Sequence, residues 1–225
     1  MTVPSKEDLS KPVGPAEPHL CPAVPKNSLI VYIHGKGGSA AECEHYRALF
    51  PACDVLGLEY KAETPWEARL EFPALFDRLR AGSAHVFLIA NSIGAFFSMH
   101  TLADKAIERA WFISPIVDME RLISDMMTWA GVTEQALEER SFIETDFGET
   151  LSWEYLCYVR SHPVRWNIPT DILYGGQDTL TARETITAFA AAHHAALTIL
   201  ENGEHWFHTP EQMAFLDRWV QDSLK

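Results

Sequence analysis

The stretch from His85 to Leu102, HVFLIANSIGAFFSMHTL, constrains this chain more than any other. His-Val-Phe-Leu-Ile-Ala is a short unbroken apolar run, which suits a parallel strand covered on both faces. A helical pattern resumes directly behind Ser92, so the strand must bend into a helix at once. Ala90 and Gly94 stand two positions either side of the serine, where so sharp a bend leaves room only for small side chains. The motif reads A-N-S-I-G, close to G-x-S-x-G. Such a turn lifts the Ser92 hydroxyl clear of the sheet and sets the amide of Ile93 at a helix N-terminus, where an oxyanion would be stabilised. The plainer reading is that a serine opening a helix is simply its N-cap. The rest of the chain decides between the two.

Strand and helix signals alternate on both sides. Ser28 to His34 (SLIVYIH) is a second buried strand that runs into Gly35-Lys36-Gly37-Gly38. A phosphate-binding loop would need Ser or Thr after Gly35-Lys36, and Gly37 stands there, so the turn reads as the second half of an oxyanion hole. Cys53 to Glu59 is a less apolar strand, expected near a sheet edge. Thr64-Pro65-Trp66-Glu67 is a capping box that opens a helix to about Arg80. Arg109 to Ile113 is the next strand. Between Asp118 and Trp166 two or three helical stretches replace the alternation, with Met119, Leu122, Ile123, Met126, Met127 and Ala130 on one face and Gly131 as the stop. This insertion, rich in aromatic and acidic residues, is expected either to cap the site or to form a helical side layer without substrate contact. Thr170 to Tyr174 resumes the strands, followed by Gly175-Gly176-Gln177-Asp178. Thr181 to Glu184 reads as another capping box for a helix to about His194. Ala196 to Leu200 is the last strand, and Thr209 to Gln212 caps a C-terminal helix. The expected fold is therefore α/β, a mainly parallel sheet of about six strands flanked by helices and joined by right-handed crossovers.

Residues 1–27 carry six prolines and read as an extended arm, leaving 28–225 as one domain. The formal net charge of −13 opposes nucleic acid and anionic membranes as partners. No apolar run approaches a membrane span, and the first residues lack an apolar signal core, so a cytoplasmic chain is expected. Cys21, Cys43, Cys53 and Cys157 show no metal-ligand spacing and read as reduced thiols, with a Cys43–Cys53 bridge as the alternative. No cofactor is called for, and a homo-oligomer is left open.

In an open parallel sheet, ligands bind at the carboxyl ends of the strands. His34-Gly35-Lys36, Ser92, Asp178 and His205 each stand just past one. A serine nucleophile needs a base, an imidazole base needs a carboxylate to hold its tautomer, and the tetrahedral intermediate needs amide donors. The order Ser, Asp, His with an upstream His-Gly turn resembles the α/β-hydrolase family over nearly the whole chain beyond residue 27. The resemblance implies Ser92 as nucleophile, Asp178 as acid, His205 as base, and the backbone amides of Lys36 and Ile93 as the oxyanion hole. Ala90 departs from the usual glycine, and the arm leaves no clear room for the family's first hairpin. Asp118 is the rival acid. His34 reads as structural, and His205 with His208 lack a third ligand for a metal. The expected activity is that of a carboxylesterase-like serine hydrolase acting through an acyl-enzyme on a small neutral ester-like substrate. Thioesterase or aminopeptidase chemistry would use the same groups. A hydrolase-like binding or receptor protein with little turnover is the alternative of another class.

Overall fold

In each inner strand, alternate side chains enter two separate cores, so the sheet is covered on both faces. This computed structural model describes residues 24–224; the expected arm therefore lies outside the described residues up to Val24, as does Cys21. The strands are β1 (Leu29–Ile33), β2 (Asp54–Gly57), β3 (Val86–Asn91), β4 (Arg109–Ile113), then β5 (Phe142–Glu144) and β6 (Thr150–Ser152) inside the insertion, and beyond it β7 (Thr170–Gly175) and β8 (Ala196–Leu200). Leu29, Val31, Ile33, Leu88, Ala90 and Phe112 face one core, while Ile30, Tyr32, Phe87, Ile89, Trp111 and Ile113 face the other. A strand's period of two makes this split unavoidable, and burial on both faces explains why these runs are continuously apolar.

The first core is roofed by α2 (Pro65–Leu79), α3 (Ser92–Thr101) and α7 (Arg183–Ala192). The second is closed by α1 (Cys43–Arg47) and α8 (Pro210–Ser223), through Tyr46, Leu216, Trp219 and Val220. A buried ion pair pins α8 to the sheet: Arg109 Nε donates to Asp171 Oδ2 at 2.5 Å and its Nη1 to the Ser223 carbonyl at 2.6 Å. Removing one partner of such a pair would strand a charge in the interior.

The sheet order is β2-β1-β3-β4-β7-β8, all parallel, with β2 at an edge as its weaker apolarity suggests. From β1 the chain moves outward to β2 and then returns to place β3 on the other side of β1. The order therefore reverses between β1 and β3, and a crevice opens where their two carboxyl ends diverge. Those ends carry the Gly35 turn and Ser92.

The insertion holds α4 (Met119–Trp129), α5 (Glu134–Arg140), α6 (Trp153–Ser161) and the antiparallel hairpin of β5 and β6. Nothing in the sequence pattern announces the hairpin, because three-residue strands show no readable period. Met119, Leu122, Ile123 and Met127 are buried in the first core, as the stripe predicts, and Gly131 ends the helix with φ of 64°. Tyr155 and Tyr158 of α6 pack on Trp66 with ring centroids 5.6 and 5.3 Å apart. One capping expectation fails: α7 begins after Ala182, and Thr181 turns its hydroxyl to the Pro115 carbonyl instead. Cys43, Cys53 and Cys157 are free thiols. Among the described residues no helix is long and apolar enough to cross a membrane.

His100, near the end of α3, packs against the Phe96 ring at 4.4 Å. Burial, helped by His162 and Arg69, pushes its pKa down from 6.5 to about 4. Because the folded value lies below the unfolded one, the unfolded chain binds the extra proton between the two. Stability is then complete above pH 6.5 and is lost as pH falls toward 4. Denaturation of His100→Leu between pH 7 and 5 should show a shallower loss than the wild type; equal slopes would mean that His100 titrates normally.

Candidate active site

Ser92 sits where β3 becomes α3, with φ of 49°. A non-glycine residue in this left-handed region is strained by about 1–3 kcal/mol, so the surroundings must hold it there. Two contacts do so. The Ser92 carbonyl accepts from Ile116 N at 3.2 Å, and Gly94 packs so closely on β1 that a Cβ would stand 2.3 Å from the His34 carbonyl oxygen. Nothing larger than glycine fits at position 94. Ala90 has no exposed surface, which is why a small residue is needed there too. Asn91 occupies the N-cap position without making a side-chain cap, so the plain capping reading of the serine does not hold. Ile93, in the first helical turn, has no intrahelical acceptor for its amide.

His205 arrives from the loop after β8. That loop lies directly on the end of β7, where Gly175 and Gly176 leave room: a Cβ on either would come within 2.4 or 2.5 Å of the carbonyl oxygens of Glu204 and Glu201. Gly176 N to Leu200 O and Gln177 N to Gly203 O, both 2.8 Å, lock the two turns together. Asp178 and His205 are thereby brought into contact. Asp178 Oδ2 lies 2.7 Å from His205 Nδ1, and its Oδ1 accepts the amides of Leu180 and Thr181 at 2.8 and 3.2 Å. The Asp178 side chain is fully buried and that of His205 is 20% exposed. A carboxylate has no proton to offer, so Nδ1 donates and Nε2 is left as the acceptor. Nε2 lies 2.8 Å from Ser92 Oγ. The three side chains form one relay from a buried carboxylate to a strained serine.

Asp118, the rival acid, is exposed and caps α4 by accepting from Arg121 N at 2.9 Å. His34 is structural, as expected: its ring stacks on Tyr60 at 4.2 Å and its carbonyl accepts the Tyr60 hydroxyl. His208 is exposed beside Trp206, and among the described residues no group of three or more His, Cys, Asp or Glu could hold a metal. Ser98 bonds back to the Gly94 carbonyl within α3.

The relay opens into a cleft of about 690 Å³. Its lining includes the Gly35–Gly38 turn, Tyr32, Glu42, Asn91, Trp206, Met213 and Leu216. It therefore lies on the α1 and α8 side of the sheet, and no residue of the insertion lines it. The insertion instead touches the turn from above the surface, where Lys36 Nζ meets both oxygens of Glu149 at 2.6 and 2.5 Å. Nothing in the local sequence pattern marks Glu42, Tyr32 or Asn91 as neighbours. Asn91 Nδ2 reaches the Tyr32 hydroxyl at 2.9 Å, and that hydroxyl reaches Glu42 Oε2 at 2.5 Å. The single phenolic proton must go to the carboxylate, so Asn91 donates and the orientation of its amide follows. Glu42 Oε1 accepts from Ser39 N at 2.9 Å. This chain of hydrogen bonds ties the residue before Ser92 to the segment that follows the Gly35 turn. Burial first, and then the charge of Glu42, hold the hydroxyls of Tyr46 and Tyr60 protonated far above the ordinary range.

No protein-family model matches the sequence, and no curated protein matches it. Solved structures do. Est1E from Butyrivibrio proteoclasticus superposes with a TM-score of 0.68 at 17% identity, over 88% of this chain and 87% of that one. Alpha/beta hydrolase domain-containing protein 10 from mouse gives 0.67 at 13% identity, over 87% and 89%. An esterase from Pyrococcus furiosus gives 0.58 at 18% identity, over 88% and 80%.

Replacing Tyr32 by Phe removes one hydroxyl and deprives both Asn91 Nδ2 and Glu42 Oε2 of a partner. Urea unfolding should show a loss of about 1–3 kcal/mol. A loss near zero would mean that the two groups find other partners and that the chain of bonds carries no weight.

Proposed function

The chain has the α/β-hydrolase fold, and on that premise we propose that it is a serine hydrolase of the carboxylesterase type, cleaving ester-like bonds of a small substrate without negative charge. The single observation that carries the reading is the relay Asp178–His205–Ser92, with both links at hydrogen-bond distance and the serine on a strained turn. Est1E, similar in fold, is also known with ferulic acid bound. A bound aromatic acid in that protein fits a reading in which a carboxylic acid is the product here.

The chemistry follows from the groups in place. Ser92 Oγ attacks the carbonyl carbon while its proton passes to His205 Nε2, and Asp178, remaining ionised, stabilises the imidazolium. The oxygen of the tetrahedral intermediate is received by the amides of Ile93 and Lys36. Collapse breaks the bond to the alcohol, which leaves with the proton from His205. Water then attacks the acyl-enzyme, His205 takes its proton, and the acid departs as Ser92 is restored. No further group is required for the electron balance of any step.

In this reading the helical insertion, 118–166, is a side layer that reaches the site at its edge and does not line the cleft. It supplies Glu149 to the side chain of Lys36, whose amide is one proposed oxyanion donor. A cytoplasmic setting accords with three free thiols.

Ser92→Ala and His205→Ala should each lower turnover of p-nitrophenyl esters by about three orders of magnitude or more while leaving the fold intact. Asp178→Asn should also be severely impaired, and Asp118→Asn should stay near wild type. The opposite result for the two aspartates would overturn the assignment of the acid. A base that works neutral makes the rate rise with pH to a plateau; a rate that instead falls as pH is raised would exclude His205 as base. A folded protein whose Ser92 resists a fluorophosphonate probe would favour the alternative, a binding protein with little turnover.

A further inference from the structure

The charged groups that line the cleft are not equally compensated. Lys36 is paired with Glu149, and His45 Nε2 lies 2.7 Å from Asp217 Oδ1. His205 is paired with Asp178. Glu42 lines the same cleft, and among the described residues no Lys, Arg or His stands within ion-pair distance of it. Its carboxylate is nevertheless held still, by the Tyr32 hydroxyl on Oε2 and by Ser39 N on Oε1. Each oxygen keeps a second lone pair, so the group is an anchored acceptor with its charge unspent. Asn91 also lines the cleft, and its Oδ1 is a buried acceptor without a partner. Trp206 forms another part of the lining, and aromatic faces attract cations, whereas the rings of Tyr32 and Tyr46 there are buried and packed on each other. Trp206 is 73% exposed, with one face of its ring stacked on His208 at 4.6 Å.

We infer that the cleft beside Ser92 selects esters carrying a positive charge, an ammonium group on either the alcohol or the acyl portion, which Glu42 receives. The inference rests on the hydrolase reading and narrows its substrate from one without negative charge to one that is cationic. The physical reason is preorganisation. An anchored carboxylate loses little freedom when a cation arrives, and because Glu42 is exposed its attraction is strongest at low salt. An anionic substrate would meet the same charge as repulsion. The general negative charge of the chain acts on all cations alike and at longer range, so the contribution of Glu42 is separable from it by mutation.

Binding to the inactive Ser92→Ala protein, measured by titration calorimetry, tests this without requiring turnover. One pair of probes carries the charge on the alcohol side: butyrylcholine and its uncharged isostere 3,3-dimethylbutyl butyrate. The other carries it on the acyl side: p-nitrophenyl 4-(trimethylammonio)butanoate and p-nitrophenyl 5,5-dimethylhexanoate. In at least one pair the cation should bind about three- to tenfold more tightly at low salt. Adding Glu42→Gln should erase that ratio, and Glu42→Asp should keep part of it. Adding Glu44→Gln, which removes an equal charge outside the cleft, should leave the ratio in place. Equal binding within both pairs would overturn the inference, as would a ratio that survives Glu42→Gln; the first comparison holds even if the Glu42 variants do not fold. If the cation preference is found but the wild-type protein turns over no ester, the hydrolase reading fails and the selection of cations stands.

Discussion

The backbone at Ser92 is the constraint on which the site depends. A left-handed serine between a buried strand and a helix costs about 1–3 kcal/mol and persists only where neighbours over-determine it. Here β1 on one side, meeting Gly94 at its carbonyls, and the segment after β4 on the other, donating Ile116 N to the Ser92 carbonyl, leave the chain no relaxed alternative. Both neighbours are there because β3 is the strand between β1 and β4 in a sheet whose members all run one way. Sheet topology thus supplies the force that holds Ser92 out of the core.

Asp178 and His205 are set by a second device of the same kind. Two turns that follow adjacent strands, β7 and β8, are pressed together over a pair of glycines, and the contact orders His205 against a fully buried carboxylate. Asp178 spends its other oxygen on two amides of its own turn. The imidazole is oriented by a buried group that is itself held by two hydrogen bonds. Serine, histidine and aspartate come from three separate turns, and none of the three depends on the insertion for its placement.

The cleft reflects the reversal of strand order between β1 and β3, which opens the sheet edge toward α1 and α8. That side carries Tyr32, Glu42, Tyr46 and Met213, while the insertion lies over the other core. The cleft is therefore lined from β1, the Gly35 turn, the segment leading into α1, the loop after β8 and α8 rather than from the insertion. A carboxylate held by a tyrosine and a backbone amide gives this surface its sign. The ion pair between Lys36 and Glu149 is the single point at which the insertion reaches the turn, and its two exposed side chains make it sensitive to salt.

What the sequence alone determined was local or periodic. Continuous apolar runs identify strands covered on both faces, and the sheet is parallel because helices separate them. The small residues around Ser92 by themselves require a sharp turn, and Thr64 with Glu67 caps α2 as their spacing requires. Ser92, Asp178 and His205 were legible because each stands just past a strand, and parallel strands bring their carboxyl ends to one edge whatever the helices do. The tertiary structure alone decided what depends on partners distant in the chain. Thr181 could cap α7 by its spacing, yet the Pro115 carbonyl, brought near by the loop after β4, wins its hydroxyl. The β5–β6 hairpin is too short to show a period. The link from Asn91 through Tyr32 to Glu42 joins side chains of three elements, and the acceptor-rich face of the cleft follows from it. Such contacts leave no local pattern, because their energy arises between groups that only the packed sheet brings together.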